Sequence, residues 1–307
     1  QFSPRLNPIL FTAIAAALIC FDLFSVNWQT NLFPQPPEWH TQEPPAVQAI
    51  KNDATQFMGD PYRVYNEFRL YDNYGVPFEL EDMWGASPLR PERYDRFLAP
   101  PMPIERTWEL LNVRYVITWR EELFVPSLVI YQEPAGDDTT YVHRLESVGP
   151  RAWLTFQAEI ADEIRQLERI AEPDFDRWQT VLLEPDAAPA IKQLDPPLAA
   201  PVSADIPELS RCAPTGSHLS FDISSPTSAF LVLSEPFYPG WRAVIDGQPA
   251  PLLRANYVLR AIPIPAGDHR VEVIFRPLSF TVGAVISAAA AVIIVVVLVL
   301  GRLKRNT

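Results

Sequence analysis

Residues 278–300 read LSFTVGAVISAAAAVIIVVVLVL, a long run without a single charged side chain. As an α-helix with a rise of about 1.5 Å per residue, the run reaches roughly 34 Å, enough to cross a hydrocarbon core of about 30 Å. The basic residues Arg302, Lys304 and Arg305 follow it closely. Because basic clusters flank membrane helices on the cytoplasmic side, the sequence predicts a transmembrane helix at 278–300 and a cytoplasmic basic tail at 301–307.

A second apolar segment, 9–26, lies near the other end of the chain and contains one charged residue, Asp22. As a helix it is about 27 Å long, which is short but sufficient for a span with little tilt. It could instead be the apolar region of a signal peptide behind Arg5, but no small-x-small cleavage site follows it. The sequence favours a transmembrane helix at 8–27, with Asp22 close to its outer end.

Trp28 and Phe33 then suit the aromatic belt of an outer membrane interface. If both ends span, residues 28–276 lie outside the cytoplasm.

The charge of the chain is unevenly distributed. The 307 residues have a net charge of -12 and a mean hydropathy of zero to two decimals. The apolar ends and the tail contain four of the basic residues but only one acidic residue, so the middle is more acidic than the whole. This balance excludes a basic nucleic-acid-binding protein, and two cysteines exclude a disulfide-framed mini-protein.

The first part of the middle, 28–183, mixes helical and strand patterns and predicts an α+β lobe. Residues 34–45 are Pro-rich and predict an extended exit from the membrane, whereas 71–101 predict an irregular loop. Residues 184–208 hold six prolines and predict a stiff linker or an edge strand. Helices are predicted at 46–57, 103–111 and 161–170, and strands at 62–68, 113–119, 128–132, 140–145, 151–156 and 180–183.

The second part, 209–276, contains short apolar runs separated by turn signals at a spacing typical of a β-sandwich. Asp246-Gly247 predicts a two-residue hairpin turn, and Gly267-Asp268 predicts a second one. The overall prediction is a membrane protein in which two transmembrane helices flank an extracytoplasmic α+β lobe and a C-terminal all-β sandwich. The sandwich would rest on the bilayer surface, because its last strand ends at Pro277.

The sequence contains few candidates for chemistry. No nucleotide-binding, metalloprotease or serine-hydrolase motif occurs, and the four histidines are scattered. Asp174-Phe175-Asp176 matches the D-x-D of metal-dependent sugar-nucleotide enzymes, but it follows a helix and a proline and reads more simply as a turn. Glu79, Glu81 and Asp82 beside Trp84 could serve a sugar, although a solvated loop explains them equally well.

The most specific string is SEPFYPGWRAVIDG at 234–247. Tyr238 and Trp241 could stack on a sugar ring, although such aromatic corners are more often packed structural plugs. We assign no catalytic or metal-binding residue. The candidate binding residues are Trp84, Tyr238, Trp241, Arg242, Arg254 and Asn256.

This string resembles the C-terminus of the bacterial YfhO-like membrane proteins. The resemblance continues through Arg254-Ala-Asn256, Pro265-Ala-Gly-Asp-His269 and the Arg276-Pro-x-Ser-Phe280 before the last helix. At Trp84-Gly85 the chain departs from the Gly-Tyr that the family often has, which leaves the role of that loop open. Earlier stretches that fit in the same order are 63–65, 73–75, 84–89 with Tyr94 and Phe97, 110–116 and 150–153.

The resemblance implies a multi-pass protein of the bacterial cytoplasmic membrane and of the GT-C glycosyltransferase type. Such proteins take sugars from polyprenyl-phosphate donors and modify envelope polymers such as teichoic acids. This chain would be the C-terminal, acceptor-recognising or capping part, and the catalytic loop would lie in a missing N-terminal part.

The alternative is a non-catalytic, membrane-anchored ectodomain that binds envelope glycan or helps assembly. Either way, the partners expected are the lipid bilayer and a glycan, and not nucleic acid. An acidic surface disfavours capture of polyanionic teichoic acid, so such binding would need Arg242 and Arg254 or a bridging cation.

Overall fold

A computed structural model describes residues 8–27, 42–57, 60–71, 73–85, 90–135, 138–194, 198, 209–215 and 217–303. Several predictions fall outside these residues. They concern the interfacial residues Trp28 and Phe33, the extended exit at 34–41, linker residues 195–197 and 199–208, and tail residues 304–307.

The described α-helices are short except at the two ends. They are α1 (Pro8–Asn27), α2 (Pro45–Ala54), α3 (Gly75–Phe78), α4 (Glu92–Leu98), α5 (Ile104–Leu110), α6 (Glu163–Ala171), α7 (Ala188–Lys192) and α8 (Leu278–Leu303). Asp162 caps the N-terminus of α6 by accepting a hydrogen bond from the backbone of Arg165.

The described strands form three sheets. In chain order they are β1 (Arg63–Asn66), β2 (Val113–Thr118), β3 (Ser127–Ala135), β4 (Asp138–Leu145), β5 (Ala152–Thr155), β6 (Gln157–Ile160), β7 (Thr180–Leu183), β8 (Leu209–Thr215), β9 (His218–Ser225), β10 (Ala229–Leu233), β11 (Trp241–Ile245), β12 (Gln248–Ala250), β13 (Leu253–Ala255), β14 (Leu259–Ile264) and β15 (Gly267–Phe275). The first sheet has the order β1-β2-β4-β3, the second β5-β10-β14-β13-β7-β6 and the third β12-β11-β15-β9-β8. Pairing is antiparallel except for β1 with β2 and β6 with β7, so the first two sheets are mixed. The α+β class is therefore confirmed.

The six-stranded second sheet contributes to two hydrophobic cores. From β10, Phe230 and Val232 belong to the core shared with Trp108 and Val113, whereas Leu231 belongs to the core shared with the third sheet. This explains why β10 reads as an unbroken apolar run, because a strand buried on both faces has no polar alternation.

Strand pairing does not follow the predicted division into a lobe at 28–183 and a sandwich module at 209–276. β10 pairs with β5, with Leu231 opposite Leu154, and β13 pairs with β7 through Ala255 and Leu183. The sandwich is present as the third sheet packed on the second, but the second sheet takes three of its strands from the first part of the chain.

Three further local expectations need correction. Residues 71–101 contain α3 and α4 rather than an irregular loop alone, and the start of the linker forms α7. Gly267-Asp268 does not close a hairpin, because β14 and β15 lie in different sheets and Gly267 is already the first residue of β15, after the crossover at 265–266.

The hairpin predicted at Asp246-Gly247 is confirmed. Ile245 pairs with Gln248, so the turn has two residues, and both have positive φ angles of 49° and 80°. This is the left-handed geometry that a tight hairpin requires and that Asp-Gly provides at low cost.

Helix α8 carries the strongest membrane signal. Within the described ranges, one helix is long and apolar enough to cross a bilayer, at Leu278–Val296, where the mean hydropathy is 2.4 and none of the segment is buried. In α1 the apolar segment covers only Thr12–Ser25, which is shorter than a span usually requires. A first transmembrane helix at 8–27 stays a prediction.

Candidate functional site

A cavity of about 240 Å³ lies between the start of α4 and the loop that leads into β11. We call it the turn cavity. Residues 91–94 form one wall and residues 236–239 form the other, while Arg254 and Val258 line it from β13 and the loop before β14. It is smaller than the roughly 300–1,000 Å³ of pockets for drug-sized ligands, so its size suits a single sugar ring or another small group.

Hydrogen bonds fix the loop that forms the second wall. The backbone N–H of Phe237 donates to the carbonyl of Val258 at 2.6 Å, and the Nε of Arg260 donates to the carbonyl of Pro236 at 2.9 Å. The chain then turns at Tyr-Pro-Gly, residues 238–240, which we call the YPG turn. Because both bonds anchor backbone groups, the cavity wall is preformed.

Glycine is required at the end of the YPG turn. Gly240 has a φ of +105°, and a Cβ added there would lie 3.0 Å from both the Cε2 of Phe275 and the Cα of Pro277. Both the left-handed backbone and the close approach exclude a side chain.

The charged groups of the turn cavity are paired with one another. Arg93 donates to Glu163 at 2.7 Å and to Glu184, and the Nε of Arg254 lies 3.8 Å from Glu184. The guanidinium of Arg254 also stacks on the ring of Phe237 at 4.7 Å. Burial and the neighbouring charge of Arg93 lower the pKa of Arg254 below its ordinary value. The cavity therefore offers hydrogen-bond donors without a large excess of charge.

Three aromatic side chains line the turn cavity. Tyr238 is 53% exposed, whereas Tyr94 is largely enclosed and donates its hydroxyl to the carbonyl of Met83 at 2.7 Å. Burial raises the pKa of Tyr94 to about 12, outweighing the opposite effect of Arg63, so its phenol is neutral at physiological pH. Phe237 is the third aromatic residue.

A cluster of charged residues, largely buried except for the half-exposed Glu81, lies behind Tyr94 and Pro236. This arginine cluster consists of Arg63, Arg151, Arg260, Glu81 and Glu235. Each glutamate contacts both Arg63 and Arg151, at distances between 2.5 and 3.4 Å. Burial lowers the pKa of Arg260 to about 10, although Glu235 partly offsets the effect. The cluster joins segments from both halves of the chain and supports the wall of the cavity.

Comparison with known protein families finds a match for the region of the chain that contains the YPG turn. The family model of the bacterial membrane protein YfhO matches residues 208–287, which include β8 to β15 and the start of α8. This region is YfhO-like. Neither a curated protein nor a solved structure matches the chain significantly. The resemblance seen in the sequence is confirmed for this region, and together with α8 it supports a membrane location.

Of the six predicted binding residues, Tyr238 and Arg254 line the turn cavity of the YfhO-like region. Trp241 lies just after the YPG turn, where its ring packs 5.2 Å from Phe275 and carries the guanidinium of Arg260 at 4.0 Å. These contacts are those of a packed structural plug, the more common role of such an aromatic corner. Arg242 is exposed on the outer face of β11.

Asn256 and Trp84 lie apart from the cavity. Asn256 is completely buried, and its Oδ1 accepts a hydrogen bond from the backbone of Leu182 at 2.9 Å. It therefore has a structural partner and no exposed surface, and its binding role stays a prediction. Trp84 packs against Tyr65 and beneath Arg90, with its backbone N–H donating to Asp82.

The two acidic motifs have structural partners. The backbone N–H of Phe175 donates to the carbonyl of Glu172, and Asp176 accepts hydrogen bonds from the backbone of Trp178 and Gln179, so the motif lies between two turns and its reading as a turn is supported. Glu81 belongs to the arginine cluster, and burial raises the pKa of Asp82 although Trp84 and other hydrogen-bond partners oppose this. No three His, Cys, Asp or Glu side chains within the described residues are grouped so as to hold a metal ion.

Sequence reasoning missed Arg93 and the arginine cluster. A signal for α4 was available, because Pro91 followed by Glu92 is a typical helix start, and α4 presents Arg93 to the cavity. No local signal could have identified the cluster, since Arg63 and Glu235 are 172 positions apart.

Proposed function

We propose that this chain is the glycan-recognising, extracytoplasmic part of a GT-C-type membrane glycosyltransferase, and that the turn cavity holds one sugar unit of the acceptor. The observation that carries the proposal is the combination of Tyr238, Phe237 and Arg254 in a preformed cavity of about 240 Å³. Aromatic faces pack on the C–H groups of a sugar, and guanidinium groups donate to its hydroxyls.

The charges of the cavity favour a neutral sugar over a polyanion. Arg93 and Arg254 face Glu163 and Glu184, which compensate them. The whole chain has a net charge of -12, which repels polyanionic polymers at long range. We therefore place the proposed contact at a neutral sugar substituent and not at a chain of phosphates.

The carboxylates around the cavity support a recognition role for this chain. Glu92 pairs with Arg96, Glu163 with Arg93 and Arg96, and Glu184 with Arg93. A general base needs a carboxylate that can accept a proton from the substrate, and these are held by arginines. In the glycosyltransferase proposal, the catalytic carboxylate comes from another part of the protein.

The binding experiment uses the full chain in lipid nanodiscs and measures saturation-transfer NMR with neutral monosaccharides and short oligosaccharides. Arg254→Gln and Tyr238→Ala should each weaken binding at least about tenfold, equivalent to about 1.4 kcal/mol. Arg242→Gln is the matched control, because Arg242 is exposed on the adjacent strand and does not line the cavity. Equal binding by all three variants would exclude the cavity as the sugar site.

The second candidate is a non-catalytic membrane-anchored ectodomain with the same glycan-binding cavity, favoured by the pairing of every cavity carboxylate. A transfer assay distinguishes the two candidate functions. It uses the full-length protein in membranes, supplied with polyprenyl-phosphate-linked sugars and envelope polymer. Transfer that Arg254→Gln weakens supports the enzyme. Binding without transfer supports the ectodomain. Compositional analysis of envelope polymers after loss of the gene provides the independent check.

A further inference from the structure

The YPG turn is joined directly to the residues that begin the apolar helix. The backbone N–H of Arg276 donates to the carbonyl of Gly240 at 2.7 Å. Two aromatic rings that flank the glycine in sequence also contact this strand: the rings of Tyr238 and Trp241 lie 6.5 Å and 5.2 Å from the ring of Phe275. The turn therefore moves as one unit with the end of β15.

With α8 in a bilayer, this end of β15 lies only a few ångströms from the hydrocarbon. The apolar span begins at Leu278, two residues after Arg276, and the side chains of Leu278 and Phe280 are 70% and 75% exposed. A residue two positions before an apolar span lies at the level of the lipid headgroups, because each helical residue rises about 1.5 Å and an extended one about 3.3 Å. The YPG turn, which contacts Pro277, lies at the same level.

The side chains at this end of the third sheet suit that environment. Tyr238 presents an apolar ring with a polar hydroxyl and is 53% exposed, as expected of tyrosines at a membrane interface. Arg242 and Arg276 are exposed nearby, and neither forms an ion pair with another residue in the described part of the chain. Such basic groups bind the phosphates of anionic lipids.

We propose that the YPG turn is a membrane-interface anchor, in which the ring of Tyr238 inserts into the headgroup layer and Arg242 and Arg276 contact lipid phosphates. The partner is the bilayer that holds α8, and continuity of the chain through Pro277 brings the two together. The anchor also places the wall of the turn cavity at the bilayer surface, because Tyr238 and Pro239 belong to the YPG turn and also line the cavity. Because the ring of Tyr238 cannot pack on a sugar while it lies among the headgroups, the anchor is tested by the depth of positions 238 and 242 and not by sugar binding.

The experiment measures the depth of nitroxide spin labels in the full chain reconstituted in liposomes that contain anionic phospholipid. Cys20 and Cys212 are replaced by serine, and labels are introduced by Tyr238→Cys and, separately, by Arg242→Cys. Gln248→Cys is the matched control, because it is exposed at the far end of the same hairpin, about 13 Å along β11 from Trp241.

The readout is the ratio of collisions with oxygen to collisions with a water-soluble nickel complex. We expect this ratio to be several-fold higher at 238 than at 248, and intermediate at 242. Ratios at 238 and 242 equal to that at 248 would overturn the anchor. If Tyr238→Cys fails to fold, the exposed position 242 decides alone, with the same two outcomes.

Discussion

Arg151 and Glu235 form a largely buried ion pair, with the Nε and Nη2 of the arginine 2.8 Å and 2.5 Å from the same carboxylate oxygen. The two residues are 84 positions apart, and the pair joins the start of β5 to the end of β10. Arg63 contacts the second carboxylate oxygen of Glu235 at 3.2 Å. One glutamate thus holds together the two parts of the chain that the sequence suggested were separate.

Glu235→Ala should destabilise the protein strongly. Removing this carboxylate leaves two buried guanidinium groups with less compensation, and breaking a buried ion pair from one side costs about 3–5 kcal/mol. The free energy of unfolding of the full chain in nanodiscs measures the loss. Glu122→Ala, at an exposed position, is the control and should leave stability unchanged. A loss no larger than that of the control would mean that the cluster does not stabilise the fold.

Glu235 also predicts a dependence of stability on pH. Burial alone would raise its pKa, but the charges of Arg63 and Arg151 outweigh burial and hold the pKa below the ordinary value of 4.5. Its contribution is therefore fully present above pH 4.5 and is lost as the pH falls through the lower, folded-state pKa. Asp82, whose pKa is raised by burial, changes stability with pH in the opposite direction. It is present in both the wild type and the Glu235→Gln variant, so it does not affect the difference between them.

The comparison is between the wild type and Glu235→Gln, by denaturant titration from pH 7 to pH 3. The wild type should be the more stable at pH 7, and the difference should shrink as the pH falls below 4.5. A difference that stays constant with pH would contradict the assignment of this carboxylate as ionised in the folded protein.

The strands were largely predictable because each reflects a local apolar pattern. The run at β10, the alternation in β15 and the Asp246-Gly247 turn all lie within windows of a few residues. Which strands pair across the linker depends on long-range contacts such as Leu231 with Leu154. Periodicity contains no information on that choice. The Pro-rich residues 184–208 therefore predict a boundary between a lobe and a sandwich module that the strand pairing crosses.

In the candidate site too, some residues can be predicted from local sequence and others depend on long-range contacts. Tyr238 and Arg254 could be found because they belong to the specific string at 234–247 and to the Arg254-Ala-Asn256 stretch that follows it, and both line the turn cavity. Arg93 is harder to find: Pro91-Glu92 marks the start of its helix, but that helix has only seven residues and lies in a segment rich in turn formers. Asn256 belongs to the same Arg254-Ala-Asn256 stretch, but the partner of its buried side chain, Leu182, is 74 positions away.

Asn256→Ala tests that structural role. Asn256 has a φ of 43° and accepts a hydrogen bond from the N–H of Leu182. Alanine would leave that buried donor unsatisfied, at about 1–3 kcal/mol, in a left-handed backbone that asparagine tolerates better. Thermal unfolding measures the loss, and Asn52→Ala on the exposed side of α2 is the control that should be neutral. Unchanged stability with lost sugar binding would instead make Asn256 a ligand-binding residue.

Gly240→Ala should destabilise the end of the third sheet more than Gly247→Ala does. Both glycines have positive φ angles, of +105° and +80°, so both substitutions strain the backbone. Only at Gly240 would the new Cβ meet other atoms, at 3.0 Å from Phe275 and Pro277, whereas nothing lies within 4 Å of a Cβ at Gly247. The difference in unfolding free energy between the variants therefore isolates the steric term, which we expect to be about 1–3 kcal/mol.

Urea titration of both variants in nanodiscs measures this difference. Equal losses would show that the YPG turn can separate from the start of α8, and that the contact between Gly240 and Pro277 is not required for the fold.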